Sequence, residues 1–376
     1  MNDFLILTIN PGSTSTKIAL FRGEEAVFST NVKHDADTLA QFPDVSSQLS
    51  YRRATILSSL EEAGISLEGL CAVVGRGGGL LPCEGGTYEI NATLLDHARR
   101  GANGVQHPAQ LGPQLAFEFS TRYNCKAFVV NPPDTDELQR EARMTGVKGM
   151  YRRIHLHALN LKETAIRHSD SIGKKYEDAN YVVCHIGGGI SISAHRKGRM
   201  VDGTDIVGGE GPMTPTRCGA VPASEIIRYC FESGADKKKA LGLCMKNGGF
   251  VSHLGTSDAQ EVFSLSKCGN EYAKLIWDTM VYQIEKSIGA MAAVLHGQVD
   301  GILLGGGIVH NQELVEHIIQ SCGWIAPVSA YPGEFEMEAM CAGACRVLSG
   351  REEAKEYSGI PAWSEDMLLD SNEVEK

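Results

Sequence analysis

The amino-acid sequence predicts an α/β protein built from two related domains. The chain has 376 residues, which exceeds the size at which one hydrophobic core keeps growing. Apolar strand-like runs alternate with helical stretches, a pattern typical of mainly parallel sheets covered by helices. A strand–turn–strand pattern near the start of the chain also recurs about half a chain later. A duplicated domain is the economical explanation of this recurrence.

The first strand–turn–strand pattern spans residues 4–21. An apolar run over residues 4–9 stops at Asn10, Pro11 and Gly12, small hydroxyl residues follow, and apolar residues resume after Lys17. This pattern predicts a hairpin of two buried strands. Its counterpart is an apolar run over residues 181–186, a turn of three glycines, and a serine-bearing strand over residues 190–194.

Three further strands are predicted, and each ends in small residues. Residues 70–74 lead into a glycine-rich stretch at 75–79, and residues 127–130 lead into Asn131 and two prolines. A helical pattern over residues 277–295 precedes a strand at 300–304, which ends in three glycines. After residue 349 the chain becomes polar and acidic.

Composition excludes several functional classes. The net charge is −11, and the longest basic run is 237–239, too short for a nucleic-acid footprint. The 11 cysteines contain no CxxC pair, so neither a zinc site nor a disulfide framework is indicated, and a reducing compartment is favoured. The first apolar stretch is too short for a signal peptide or a membrane span. We therefore expect a cytoplasmic protein without nucleic-acid or membrane partners.

The glycine-rich strand ends suggest anion binding. Glycine lets ligand oxygens approach backbone amides closely, and successive amide donors form concave anion sites. A single such turn is usually only a turn, but several together favour a phosphate cradle, with Ser13 and Ser15 as extra donors and Lys17 or Asn10 near the anion. The sequence has neither the Walker A spacing nor a G-x-G-x-x-G motif that opens a helix. A nucleotide site built from hairpins is the remaining possibility.

Six segments together resemble one known family: "INPGSTSTK", "VVGRGGGLL", "HIGGGISISAHRKGRMVD", "GEGPMTPTRCG", "LLGGGIVHN" and "YPGEFEMEAM". They look like the butyrate kinase branch of the acetokinase (acetate kinase) family, in the superfamily of sugar kinases, heat-shock chaperone ATPases and actin. The resemblance runs from about residue 4 to about residue 348. It implies duplicated ribonuclease H-like (actin-like ATPase) domains with an active-site cleft between them. We expect an N-terminal domain over residues 1–155, a nucleotide-binding domain over 156–334, and a segment 335–376 that packs back on the first.

The resemblance implies direct in-line transfer of the γ-phosphoryl group of ATP to a short-chain carboxylate. Butyrate is the leading acceptor, which gives ATP + butanoate = ADP + butanoyl phosphate, with Mg²⁺ expected. Acetate, propionate or a branched-chain acid are alternatives within this class. A slow ATPase or regulatory nucleotide-binding module is an alternative from another class, and a sugar kinase is a weaker one. Family members assemble as dimers or larger, so a homo-oligomer is expected.

The resemblance also assigns candidate site residues. Arg76 and Arg217 match the family arginines that contact carboxylate or phosphoryl groups, and His157 matches the histidine that touches the transferred phosphoryl, although His155 lies close enough to compete for that role. Phosphate and nucleotide contacts are expected from Asn10, Ser13, Ser15, Lys17, His185, Gly187, Gly188 and Gly189, and from Gly305, Gly306 and Gly307 on the adenosine side. His107 and Glu210 are candidates for substrate binding or for ordering the site.

The metal positions depart from the family pattern. Where acetate kinases carry an aspartate and a glutamate, this sequence places Asn131 and His310. Magnesium prefers oxygen ligands and keeps most of its waters. The candidate ligands are therefore Asn131, Asp134, Asp136 and Glu334.

Overall fold

The computed structural model describes residues 3–369, which form twelve strands and fourteen helices in that range. The strands are β1 Leu5–Pro11, β2 Ser15–Arg22, β3 Glu25–Lys33, β4 Ala72–Gly75, β5 Thr87–Glu89, β6 Lys126–Val130, β7 Asn180–Ile186, β8 Ile190–Arg196, β9 Arg199–Gly203, β10 Gly301–Gly306, β11 Val328–Pro332 and β12 Lys355–Glu356. The helices are α1 Ala36–Ala40, α2 Leu49–Glu62, α3 Ala92–Arg100, α4 Leu111–Tyr123, α5 Arg140–Arg143, α6 Ala158–Ser171, α7 Ala223–Glu232, α8 Lys237–Met245, α9 Gly249–Leu254, α10 Ala259–Lys267, α11 Glu271–Val294, α12 Gln312–Cys322, α13 Glu336–Leu348 and α14 Asp366–Leu369. Short 3₁₀ helices lie at Ser46–Gln48, Pro108–Gln110, Tyr176–Asp178 and Gly307–His310.

The chain divides into two compact units. Unit 1 contains Met1–Asp136 together with Phe335–Lys376, and unit 2 contains Glu137–Glu334. Residues 137–155, which the sequence analysis assigns to the first domain, therefore lie in unit 2. Leu138 and Ala142 explain this placement, because both pack in the core of unit 2 beside Leu156 and Tyr176.

Unit 1 is built on a seven-stranded sheet in the order β12-β5-β6-β4-β1-β2-β3. The hairpin β1–β2 and the adjoining β3 are antiparallel, whereas β4 pairs parallel with β1, and β6 pairs parallel with β4. Strand β1 is almost wholly buried, because its side chains are covered on both faces of the sheet.

Unit 2 repeats this arrangement in a five-stranded sheet of order β11-β10-β7-β8-β9. Strands β7, β8 and β9 are antiparallel, and β10 and β11 continue the sheet in parallel. The order β9-β8-β7-β10-β11 thus matches β3-β2-β1-β4-β6 of unit 1 strand for strand. This match is the structural form of the repeat seen in the sequence.

Alternate residues of β7 face two separate cores, as the period-two geometry of a strand requires. Val182 and Cys184 pack in the cluster that includes α11 and α12. Tyr181 and Val183 pack in the cluster that includes α6. This burial on both faces fixes the register of β7, so the turn that follows it has a defined position.

None of the helices in the described range is both long and apolar enough to span a membrane.

Candidate active site

The first hairpin of unit 1 presents unused donors at its tip. The Gly12 N–H donates to the Ser15 carbonyl at 2.7 Å, which closes the turn between β1 and β2. Within residues 3–369, the backbone N–H groups of Ser13 and Thr14 and the hydroxyl groups of Ser13 and Ser15 donate no hydrogen bond. Lys17 lies two residues after Ser15 on β2 and is exposed. Four adjacent donors and a nearby ammonium group suit an anion.

Arg76 follows β4 and is buried, with 7% of its surface exposed. Its N–H donates to the Ile9 carbonyl at 2.8 Å, so β1 fixes its backbone. Its Nη1 donates to the Asn131 carbonyl at 3.4 Å, and its Nε lies 3.8 Å from Oε1 of Glu336. Burial lowers the pKa of Arg76, and the Glu336 and Asp134 carboxylates oppose this shift. The guanidinium therefore stays charged with weak partners.

Glu336 is a functional candidate that sequence reasoning missed. It is the first residue of α13, and its Oε2 accepts a hydrogen bond from Asn10 Nδ2 at 2.8 Å. One carboxylate thus contacts both Asn10 and Arg76, two predicted site residues. The segment "YPGEFEMEAM" contains Glu336, but nothing in the sequence distinguishes it there from Glu334 and Glu338.

The glycines after β4 serve packing. A Cβ added to Gly75 would lie 2.1 Å from the Gly112 carbonyl oxygen, and one added to Gly77 would lie 2.6 Å from Val129 Cγ1. Gly75 thus allows α4 to approach β4 closely, and Gly77 leaves room for Val129 of β6. The glycines over 75–79 thus have a structural explanation, and their expected contribution to an anion site stays a prediction.

His107 lies at the start of the 3₁₀ helix Pro108–Gln110. Its Nδ1 accepts a hydrogen bond from the Ala109 N–H at 3.2 Å, so the neutral ring carries its proton on Nε2. Burial lowers the pKa of His107, and the positive charges of Arg76 and Arg52 lower it further. A neutral His107 can donate from Nε2 to an anion.

The second hairpin, in unit 2, turns through residues 187–189. The Gly187 N–H donates to the Gly189 carbonyl at 3.1 Å. The Gly188 carbonyl accepts from the hydroxyls of Thr214 at 2.9 Å and Thr216 at 3.1 Å. Both threonines precede Arg217 in the "TPTRCG" part of the segment "GEGPMTPTRCG", so their hydrogen bonds bring that segment onto the triple-glycine turn. The sequence analysis missed the two threonines.

Arg217 packs directly on this turn. A Cβ added to Gly189 would lie 1.6 Å from Arg217 Nη1, so glycine is needed at position 189 for the guanidinium to lie where it does. Arg217 Nε and Nη1 are buried and have no hydrogen-bond partner in the described chain. Burial lowers the pKa of Arg217, and the Asp205 carboxylate opposes the shift. A buried cation with unpaired donors suits a bidentate anion.

The structure separates the two neighbouring histidines. His157 Nδ1 lies 2.8 Å from Ser191 Oγ, its N–H donates to the same oxygen at 3.3 Å, and its ring stacks on that of His185 at 4.1 Å between centroids. His155 Nδ1 instead lies 3.7 Å from Oδ1 of Asp205. Within unit 2, His157 therefore lies beside His185 and the strand β8 that leaves the glycine turn.

The glycines after β10 differ in their surroundings. Gly306 has a φ of 98°, and an added Cβ would lie 2.4 Å from the Ile186 carbonyl oxygen. Apart from its chain neighbours, no atom of the described residues lies within 4 Å of a Cβ added at Gly307. Gly306 thus permits β10 to approach β7, and Gly307 faces open space.

Glu210 pairs with an arginine that the sequence analysis did not consider. Its carboxylate accepts from Arg152 Nε at 2.9 Å and from Arg152 Nη2 at 2.8 Å. Arg152 also contacts Asp202 at 3.0 Å. This pairing favours the ordering role of Glu210 over contact with a substrate.

The candidate metal ligands have different environments. Asn131 Oδ1 accepts from the Gly86 N–H at 2.8 Å, and Asp134 Oδ1 accepts from Asn103 Nδ2 at 2.6 Å. Asp136 is buried. No cluster of three or more His, Cys, Asp or Glu side chains that could hold a metal exists among residues 3–369.

Glu334 is the most accessible of these candidates. About half of its side chain is exposed, and its Oε1 lies 3.9 Å from His185 Nε2 in unit 2. Magnesium sites on nucleotides use one or two carboxylates together with phosphates and waters. The residues present fit such an ion, with Glu334 as the carboxylate, and they do not fit an all-protein cage.

Comparison with known proteins supports the resemblance to the acetokinase family. Residues 144–325 match the model of the acetokinase family (Acetate_kinase). The crystal structure of Porphyromonas gingivalis acetate kinase is similar, with a TM-score of 0.75 and 20% identity over 92% of this chain and 100% of that one. A propionate kinase from Francisella tularensis subsp. tularensis SCHU S4 has a TM-score of 0.71 and 16% identity, over 90% and 98% of the two chains. Entamoeba histolytica acetate kinase has a TM-score of 0.70 and 15% identity, again over 90% and 98%.

The predicted fold class is confirmed: the chain has the duplicated α/β fold of the actin-like ATPases. The matched residues 144–325 include the triple-glycine turn, His157 and Arg217. The family match thus lies within unit 2, where Arg217 has its unpaired donors.

Proposed function

We propose that the protein is a short-chain carboxylate kinase that transfers the γ-phosphoryl group of ATP to butyrate, giving butanoyl phosphate and ADP. Arg217 carries this proposal. Its Nε and Nη1 are buried without partners beside the glycine turn, and the residue lies in the region that matches the acetokinase family. A structural arginine would have these donors satisfied, as Arg152 does.

Phosphoryl transfer to a carboxylate needs little covalent chemistry from the protein. The acceptor is ionised at neutral pH and is already a nucleophile, so no general base is required. Its oxygen bonds to the γ-phosphorus as the bond between that phosphorus and the bridging oxygen of ADP breaks. The protein's tasks are to position both groups and to neutralise charge on the equatorial oxygens.

We assign these tasks to groups with free or weakly paired donors. In unit 1, the tip donors at Ser13, Thr14 and Ser15 bind phosphoryl oxygens, and Arg76 holds the acceptor carboxylate or the phosphoryl group. In unit 2, Arg217 binds the transferring phosphoryl group, and the 187–189 turn binds the nucleotide phosphates. Gly307 leaves space on the adenosine side.

His157 supplies a hydrogen bond to the transferred phosphoryl group. We assign His157 the neutral tautomer in which Nδ1 accepts from the Ser191 hydroxyl, 2.8 Å away, and Nε2 carries the proton. That N–H can donate to a phosphoryl oxygen without any phosphoenzyme intermediate. The stacked His185 ring keeps the His157 plane fixed.

Bound Mg²⁺ would supply charge neutralisation on the nucleotide phosphates, with Glu334 as its protein carboxylate. We further propose that the protein works in the cytoplasm as a homo-oligomer. Light scattering coupled to size-exclusion chromatography measures the oligomeric state.

A hydroxylamine assay tests the activity directly. Protein, ATP, Mg²⁺ and a panel of C2 to C5 acids are incubated, and acyl phosphate is trapped as hydroxamate. The proposal predicts product with butyrate and a kcat/KM for butyrate above those for acetate and propionate. A higher value for a branched acid would change the acceptor but not the class. Absence of hydroxamate with every acid, together with release of ADP, would instead favour the slow ATPase.

A further inference from the structure

Arg52 is a fully buried arginine behind the first hairpin. It lies on α2, and none of its surface is exposed. Its Nη1 donates to the Gly12 carbonyl at 2.9 Å and to the Ser15 carbonyl at 3.3 Å, and its Nη2 donates to the Ser13 carbonyl at 3.4 Å. The guanidinium thus binds the carbonyl side of the loop whose tip carries the free donors.

Gln48 and Thr16 complete the environment of Arg52. Gln48 Oε1 accepts from Arg52 Nε at 3.1 Å and from Nη2 at 3.0 Å, one turn earlier on the chain. Thr16 Oγ1 accepts from Nη1 at 3.1 Å and lies 2.8 Å from His34 Nε2. Arg52 therefore makes every one of these bonds to a neutral oxygen.

The charge of Arg52 has no counter-ion in the part of the chain that the structure describes. Within residues 3–369 no carboxylate lies within 4.0 Å of its guanidinium nitrogens. Buried charges in proteins are ordinarily paired with opposite charge, since desolvation is costly. Arg53, the next residue on the same helix, shows the ordinary case, because it is half exposed and lies 3.3 Å from Glu118.

We propose that Arg52 is a positioning residue for the phosphoryl group that the first hairpin binds. It fixes the carbonyls of Gly12, Ser13 and Ser15 on one side of the loop, which leaves the donors of Ser13, Thr14 and Ser15 free at the tip. Its uncompensated charge lies behind the loop and favours an anion on the other side. Arg52 does not contact this anion, since it is fully buried, and it acts through the hairpin.

This proposal rests on the proposed function only for the identity of the anion. The ligand class is a phosphoryl group, whether it belongs to a nucleotide or to an acyl phosphate. Inorganic phosphate is a suitable probe, because its binding requires no turnover. A protein that binds phosphate through Arg52 but makes no acyl phosphate would retain this inference and lose the kinase proposal.

The experiment compares substitutions that separate charge from hydrogen bonding. Arg52→Lys keeps the charge, Arg52→Gln keeps donors but removes the charge, and Arg53→Gln is the matched control on the same helix. Phosphate affinity is measured by isothermal titration, and KM for ATP and kcat are measured separately. Circular dichroism and thermal melts check that each variant is folded.

We expect Arg52→Gln to weaken phosphate binding by about 10-fold to 100-fold, the range of a lost charge-assisted interaction. Arg52→Lys should lose about threefold to tenfold, and Arg53→Gln should stay within about twofold. A smaller loss of phosphate affinity in Arg52→Lys than in Arg52→Gln shows that the charge contributes. A merely structural role would not produce this order. KM for ATP should rise more than kcat falls.

Two results would overturn the proposal. Folded Arg52→Lys and Arg52→Gln variants that bind phosphate as the parent does would exclude the role of the charge. If neither variant folds, Gln48→Leu decides, because it removes the acceptor that holds Arg52 and leaves the arginine in place. We expect about threefold to tenfold weaker phosphate binding in Gln48→Leu, and unchanged binding there would refute the inference.

Discussion

At the scale of single residues, two arginines of unit 2 show how partners distinguish a structural cation from a candidate anion site. Arg152 is saturated by Glu210 and Asp202, and these partners raise its pKa. Arg217 has two buried nitrogens without a hydrogen-bond partner among the described residues, and burial lowers its pKa. Both residues lie in polar loops in the sequence, so the difference between them is visible only in three dimensions.

Replacing Arg217 by alanine should remove charge stabilisation from the transferring phosphoryl group. We expect kcat with butyrate to fall by about 100-fold to 1000-fold, as when an oxyanion donor is removed, and the Kd of ADP to change by less than about threefold. Steady-state kinetics and calorimetry measure the two quantities. Arg228→Ala is the control, because Arg228 is exposed and pairs with Glu225 on α7. Equal turnover in the two variants would remove Arg217 from the mechanism.

His34 should make the protein less stable in acid. Burial, and then the positive charge of Arg52, lower the pKa of His34 from 6.5 to about 4. Between these values the unfolded chain binds a proton that the folded chain does not, so stability falls as the pH drops through this window. If the full pKa difference contributes, the free energy of unfolding falls by ~3 kcal/mol.

Urea unfolding at pH 7.5 and pH 4.5 measures this effect against His34→Gln. The parent should lose about 2 kcal/mol more than the variant over that interval. Parallel losses in the two proteins would show that His34 is protonated in the folded state or plays no part.

At the scale of elements, the sequence predicts strands and turns better than it predicts what the turns contact. The two hairpins follow from local apolar runs and glycine turns, and both are present as β1–β2 and β7–β8. The glycines over 75–79 resemble a further anion-binding turn in the sequence. In the structure, Gly75 packs against Gly112 and Gly77 against Val129. A glycine in a sequence shows only that a side chain is missing. The sequence does not show which residue packs against it, because that residue lies on another element.

Helix interiors offer a test of this element-level packing. Gly343 lies in α13, and an added Cβ would lie 2.5 Å from Val130 Cγ1. A Cβ added to Gly289 in α11 would lie within 4 Å of no atom of the described chain outside its own stretch of helix. We expect Gly343→Ala to destabilise the protein by about 1–3 kcal/mol through overpacking. Gly289→Ala should stabilise it by about 0.5–1 kcal/mol through helix propensity. Urea denaturation measures both, and shifts of the same sign would contradict the packing described.

At the scale of the whole molecule, the repeated strand order is the strongest link between sequence and structure. The recurrence of strand, turn and strand half a chain apart corresponds to one topology used twice. Residues 137–155 belong to unit 2 because Leu138 and Ala142 pack in its core, a contact that local pattern does not reveal. The same holds for Arg52 and Glu336, whose partners in the first hairpin are distant in sequence.

The net charge of −11 limits how the protein can bind anionic ligands. An acidic protein must bind ATP and a carboxylate through local donors, because its overall field repels anions. We propose that the free donors at the first hairpin, together with Arg76 and Arg217, provide such local attraction. Each unit supplies its own set of these groups.

The central claim is that a carboxylate oxygen attacks the γ-phosphorus of ATP. Butyrate labelled with ¹⁸O in its carboxylate, incubated with the protein, ATP and Mg²⁺, tests this claim by ³¹P NMR. The account predicts butanoyl phosphate whose phosphorus resonance is shifted upfield by one directly bonded ¹⁸O. Formation of ADP with unlabelled inorganic phosphate alone would contradict it.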